Sequence, residues 1–174
     1  MYSVEVKNLT KKFGNFTAVN NISFKVKEGE IFGFLGANGA GKTTAIKMLC
    51  GLLLPTSGTA SISGFDLKTQ AKLIKQSIGY MSQRFSLYDD LTIFENMQLF
   101  GTIYGIPKKE LKQKIMQSLD ELGMKDKANI QVQSIPLGWK QKLAFATAIL
   151  HKPKVVFLDE PTSGVDPIVR RVFW

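Results

Sequence analysis

The sequence predicts an α/β domain with an antiparallel β portion at its N-terminus and a helical insertion in its middle. Three patterns predict it. Residues 3–7 and 22–26 alternate polar and apolar side chains at period two, as half-buried strands do. Two short apolar runs, 30–35 and 154–158, read as strands covered on both faces. Between those runs, residues 92–104 and 108–122 place their apolar positions at helical spacing.

Taken in order, the two alternating strands are followed by Glu28-Gly29, which turns the chain into the apolar run 30–35. A glycine-rich stretch comes next, and residues 43–49 are expected to be helical. Pro55-Thr56-Ser57-Gly58 forms a turn, residues 59–63 return as a strand, and a polar helix over 68–76 leads into a strand at 77–81. In the central helical part, Leu111, Ile115, Leu119 and Leu122 fall on one face. Gly105-Ile106-Pro107 separates the two helices and Gly123 ends the second. A helix from about residue 139 to 150 and the strand 154–158 complete the pattern, with no internal repeat.

A length of 174 residues suits one domain with a sizeable core, and 44% hydrophobic with 21% charged residues is ordinary globular usage. No apolar run approaches the ~18–20 residues of a membrane span, and the first residues lack the apolar core of a signal peptide. Any membrane role is therefore expected at the membrane surface. Cys50 is the single cysteine, so an intrachain disulfide is excluded, a reducing compartment fits, and a buried place near a helix end is expected. The net charge of +9 is compatible with nucleic acid, anionic lipid or a polyanionic ligand. The lysines are spread along the chain, however, and a solvated surface is the default reading of them.

Gly36-Ala37-Asn38-Gly39-Ala40-Gly41-Lys42-Thr43 matches G-x-x-x-x-G-K-[ST] at every fixed position. The glycines allow successive N–H groups to point inward at phosphate oxygens. The helix that follows presents an N-terminus that favours an anion. Lys42 can reach the β- and γ-phosphates, Thr43 offers a hydroxyl to Mg²⁺, and Thr44 can add a contact to the α-phosphate. Downstream, Lys154-Val155-Val156-Phe157-Leu158-Asp159-Glu160 is an apolar strand that ends in two carboxylates. Ligands of open α/β sheets bind at such strand ends. Asp159 is placed to hold Mg²⁺, directly or through water, and Glu160 to polarise the attacking water.

These motifs, in this order, resemble the nucleotide-binding domain of ABC transporters from Val4 to the last residue. The resemblance implies a P-loop NTPase with a RecA-like core, an N-terminal antiparallel β subdomain and a helical subdomain inserted at about 84–137. Phe13 matches the aromatic that stacks on adenine, Gln83 the Q-loop glutamine that touches Mg²⁺, and Asp166 the acid of the D-loop. The region around Phe85 to Tyr88 is implied to face a transmembrane partner.

The chain departs from the family pattern twice. The signature motif aligns with Pro136, Leu137, Gly138 and Trp139, so the serine that bonds the γ-phosphate across a dimer is replaced by proline. That sequence resembles a variant found in some multidrug exporters. The switch histidine, about thirty residues beyond Asp159 in the family, is not reached; His151, the single histidine, precedes Asp159. The resemblance accordingly implies a domain incomplete at its C-terminal side, with residues 31–35 and 155–158 left without a shared neighbour strand.

The implied function is ATP binding and hydrolysis, with Mg²⁺, powering transport and specifically export. The implied partners are a transmembrane permease subunit and a second ATP-binding domain in a homo- or heterodimer, at the cytoplasmic face of the membrane. Two alternatives stay open: a nucleotide-binding module with little hydrolysis, and a soluble ABC ATPase acting on nucleic acid. The two short helices of the insertion and the single cassette speak against the latter, so no nucleic acid partner is expected.

Overall fold

The structure is a computed structural model that describes residues 1–83 and 86–161. Two compact units divide the chain, Met1–Gly79 and Tyr80 onward.

The first unit is built on a four-stranded antiparallel sheet in the order β2-β1-β3-β4. Its strands are β1 (Tyr2–Phe13), β2 (Phe16–Lys27), β3 (Ser57–Ile62) and the two-residue β4 (Phe65–Asp66). The two alternating segments read from the sequence are thus parts of one long hairpin. Its tight turn is Gly14-Asn15, with Gly14 at φ 56°, the positive angle a two-residue hairpin loop demands. Val4 and Val6 alternate inward, and then Leu9 is buried instead of residue 8. The cause is a bulge: Val6 opposes Phe24 and Leu9 opposes Ile22, so β1 carries one extra residue there, and Asn8 takes φ 51° to accommodate it. Helix α1 (Lys42–Leu49) turns Ala45, Ile46, Met48 and Leu49 into the core and ends on Cys50, which is buried as expected. A shorter helix, α2 (Ala71–Ser77), buries Ile74.

The predicted strand over 30–35 is not a strand. The segment carries no ladder, and Ile31 and Leu35 are 93% and 94% exposed. Glu30 exchanges hydrogen bonds with Lys27, and the phenylalanines are engaged: Phe32 stacks on Phe24 of β2 at 4.9 Å between ring centroids, and Phe34 meets Phe24 edge-on at 5.6 Å. Apolar composition supplies a reason to be buried, but a strand also needs a neighbouring strand for its N–H and C=O groups, and no strand among the described residues forms a ladder with it.

In the second unit, β5 (Ile78–Met81) pairs with β6 (Val155–Leu158) in a two-stranded sheet. Three helices, α3 (Ile93–Ile103), α4 (Lys108–Glu121) and α5 (Leu137–Ile149), enclose a core that includes Ile93, Met97, Leu111, Ile115, Leu119 and Leu143. The face predicted for α4 is the buried one. Burying each of these aliphatic side chains contributes about 1.5–3 kcal/mol. Both α3 and α4 stop as the sequence suggests. The N–H of Gly105 and of Gly123 returns to Thr102 and Asp120, that of the next residue to Gly101 and Leu119, and both glycines hold positive φ.

Candidate active site

Residues 36–40 form an exposed loop tightened by a hydrogen bond from Ala40 N–H to the Ala37 carbonyl at 3.1 Å. Gly41 is the N-cap of α1 at φ 85°, and no side chain caps that helix. The first turn of α1 therefore points N–H groups out of the loop with no capping oxygen, which with the helix dipole suits an anion. Gly41 is required here for a second reason. A Cβ would collide with the carbonyl oxygen of Ala18 on β2, so the end of the loop rests directly on the hairpin. Lys42 folds back across the loop and donates to the carbonyls of Gly36 and Ala37 at 2.8 and 2.9 Å. Its ammonium thus stands at the loop's mouth, within the cradle that Gly36, Ala37, Asn38, Gly39, Ala40 and Gly41 form. Thr43 and Thr44 follow it in the first turn of α1.

Phe13, half exposed, ends β1 in the same unit. One ring face lies under the ammonium of Lys11, 5.1 Å from the centroid, and that ammonium is fixed by the Leu54 carbonyl at 2.7 Å. The sequence reading had no signal for Lys11, whose role depends on a backbone carbonyl 43 positions away.

In the second unit the ends of β5 and β6 come together. Asp159 N–H donates to the Met81 carbonyl at 2.9 Å, and the Asp159 side chain is almost fully buried. Gln83 Nε2 donates to Glu160 Oε2 at 2.8 Å. Glu160 is partly exposed and its backbone sits at φ 51°, left-handed and strained for a residue with a side chain. The structure therefore joins Gln83, Asp159 and Glu160, the three residues that the sequence reading drew from two distant motifs. All offer oxygen atoms, the hard donors Mg²⁺ takes, and such an ion is usually held by one or two carboxylates together with substrate phosphates.

The signature residues lie at the start of α5, which begins two residues earlier than expected. Pro136 is its N-cap, and its carbonyl accepts from the N–H groups of Trp139 and Lys140 at 2.9 and 3.1 Å. Leu137, Gly138 and Trp139 make up the first turn, again with no side-chain cap. Trp139 packs against the helical core with the Lys127 ammonium 5.2 Å from its ring centroid. Lys140 is paired with Asp89 at 2.8 Å. Asp89 belongs to a stretch stapled by Asn96, a fully buried residue that accepts from Tyr88 N–H and donates to the carbonyls of Tyr88, Leu91 and Thr92. Phe85 and Asp166 lie outside the described residues.

The family model described as ABC transporter matches residues 19–163. The chain is 50% identical over 171 residues to the Escherichia coli protein named "Probable multidrug ABC transporter ATP-binding protein YbhF", covering 98% of this chain and 30% of that one. It is 40% identical to the Bacillus subtilis ABC transporter ATP-binding protein NatA, covering 90% of this chain and 64% of that one. A solved structure described as the ATP binding subunit of an ABC transporter superposes with a TM-score of 0.85 at 30% identity, over 97% of this chain and 70% of that one. The chain thus spans from under a third to somewhat under two thirds of the length of these curated relatives. With the phosphate-type loop on α1, the paired acids on β6 and these matches over nearly all its residues, the chain belongs to the ABC transporter family.

Proposed function

We propose that the chain is an ATP-binding and ATP-hydrolysing subunit that powers export through a separate membrane partner. The observation that carries the reading is the uncapped α1 N-terminus with Lys42 drawn across its loop. That arrangement is a cradle for the phosphates of ATP: loop N–H groups and Lys42 on the β- and γ-phosphates, Thr44 near the α-phosphate, and Phe13 under the adenine through its open face.

Thr43, Gln83 and Asp159 are the residues that would hold Mg²⁺, which when bound neutralises charge on the β- and γ-oxygens. Because Gln83 Nε2 donates to Glu160, its Oε1 is the atom left for the ion. Glu160 acts as general base, taking a proton from the water that attacks the γ-phosphorus as the bond to the β–γ bridging oxygen breaks. Its bond to Gln83 holds the carboxylate in place before that step. The first turn of α5, Leu137 to Trp139, would meet the nucleotide of a second ATP-binding domain through backbone N–H groups, since Pro136 has no hydroxyl. Asp166 would serve the same dimer interface.

Transport is favoured over action on nucleic acid because the relatives are named as transporter subunits, among them a Nod factor export protein of Burkholderia lata. No described helix is long and apolar enough to cross a membrane. On the strength of the relatives' names, the reading places the chain peripherally, on the cytoplasmic face, against a permease subunit. Two variants test it. Lys42→Ala should weaken ATP binding roughly tenfold or more, the worth of a charge-assisted phosphate contact. Glu160→Gln should keep ATP bound while stopping turnover in a chain that includes the family's complete domain. Equal calorimetric affinity for Lys42→Ala would remove the cradle assignment. Unchanged turnover in Glu160→Gln would remove the base.

A further inference from the structure

The tip of the β1–β2 hairpin carries a second aromatic ring that the reading above leaves without a task. Phe16 directly opposes Phe13 across the two-residue turn, so both side chains leave the same face of the hairpin as nearest cross-strand neighbours. Neither ring is in the core; they are 50% and 65% exposed. Exposed apolar side chains are ordinary when scattered, but two rings set side by side on one face of a tight turn are not scattered.

Their position relative to the phosphate loop is fixed by a bulge. Lys11 opposes Val19 while Lys12 opposes Thr17, so Ala18 is one residue more on β2 than β1 can pair. It is the carbonyl of Ala18 that a Cβ on Gly41 would strike. The last residue of the loop is thereby seated on β2 two positions from Phe16, about 6–7 Å along a strand. A nucleotide with its phosphates in the loop carries its base at the other end of a single sugar, which is the scale of that offset. One face of Phe13 is covered by Lys11, whereas no ring or cation lies on Phe16 among the described residues.

We infer that Phe16 is a second base-contacting residue, closing on the purine of the bound nucleotide beside Phe13. The inference rests on the reading that the loop of 36–44 binds a nucleoside triphosphate. Recognition is by the flat π-face, which every base has, so Phe16 contributes affinity rather than choice among bases.

Calorimetry on the whole chain with two ligands, ATP and inorganic tripolyphosphate, tests it. The phosphate groups are shared and the base is not. Phe16→Ala should weaken ATP about five- to tenfold, at the lower end of what one stacked base contributes, and leave tripolyphosphate affinity unchanged. Phe16→Tyr, which keeps the ring, should bind ATP like the parent. Undiminished ATP affinity in Phe16→Ala overturns the inference. So does an equal loss for both ligands, because the substitution would then have disturbed the loop and not a base contact. Lys42→Ala separates the two levels. It should weaken both ligands, and if it weakens neither, the nucleotide reading itself fails whatever Phe16 does.

Discussion

Glu160 combines two conditions that conflict. Its carboxylate accepts from Gln83, and its backbone occupies the left-handed region at φ 51°. There the Cβ crowds the following carbonyl oxygen at a cost of about 1–2 kcal/mol. Glycine escapes that cost and alanine does not. Glu160→Gly should therefore be more stable than Glu160→Ala by about 1 kcal/mol in urea denaturation, while both lose the carboxylate. Equal midpoints would show that the angle stores no strain. The acid pair itself was a candidate in the sequence, because an apolar run that stops at two carboxylates, ambiguous alone, accompanies a phosphate-binding loop in the same chain. The strain and the bond to Gln83 were not legible there, since a backbone angle and a contact 77 residues apart arise from packing. The same holds for Phe16. Its turn chemistry, Gly14-Asn15 between aromatics, was present in the chain, but the significance of the pair depends on where Gly41 rests.

The boundaries of α1, α3 and α4 were legible to within a residue, because their signals are local, whereas α2 begins three residues later and α5 two residues earlier than expected. Thr92 and Glu95 form a reciprocal capping box at the start of α3: the Thr92 hydroxyl oxygen accepts from Glu95 N–H at 3.1 Å, and Glu95 accepts from Thr92 N–H at 2.8 Å. The hydrogen bond from the Thr92 backbone, followed by that from its hydroxyl, holds the Glu95 carboxyl below its usual range. A lowered folded-state value means that the unfolded chain binds the proton more readily. The contribution is complete above the ordinary glutamate range and disappears as pH falls through the folded value. Thr92→Ala should cost about 1 kcal/mol near neutrality, and its stability should fall less steeply than the parent's on acidification. Urea midpoints at several pH values measure both; parallel acid limbs would mean that the box does not carry the shift. The short strands β5 and β6 lie within a residue of the expected ranges, but the long hairpin was harder to read. The alternation of β1 breaks at the Asn8 bulge and that of β2 at Ala18, so a strict period of two recovers only fragments of two 12-residue strands. Residues 30–35 show the opposite error. Their apolar content is strand-like, but strand formation is a property of a pair, and one sequence segment does not encode its partner.

For the molecule as a whole, the net charge is +9, with the lysines spread along the chain. Lys25, Lys114, Lys125, Lys127 and Lys140 pair with carboxylates, mostly in solvent where each pair contributes little. The apolar stretch between β2 and the phosphate loop has a different kind of consequence. A protease reads an extended backbone whose N–H and C=O groups are available to its own cleft, and it chooses its bond by the side chain beside it. Residues 31–35 belong to no helix or strand, with exposed Ile31 and Leu35 around two aromatic residues and no ladder to be opened first. Brief digestion with chymotrypsin should make its first cut after Phe32, Phe34 or Leu35, and intact-mass analysis would show the N-terminal hairpin released from the rest under denaturing conditions. A first cut within α4 or α5 would contradict the exposure of this segment. The nick would fall between Phe13 and Lys42, so one hydrolysed peptide bond would divide the covalent path between the aromatic tip and the phosphate loop while leaving every residue of both in place.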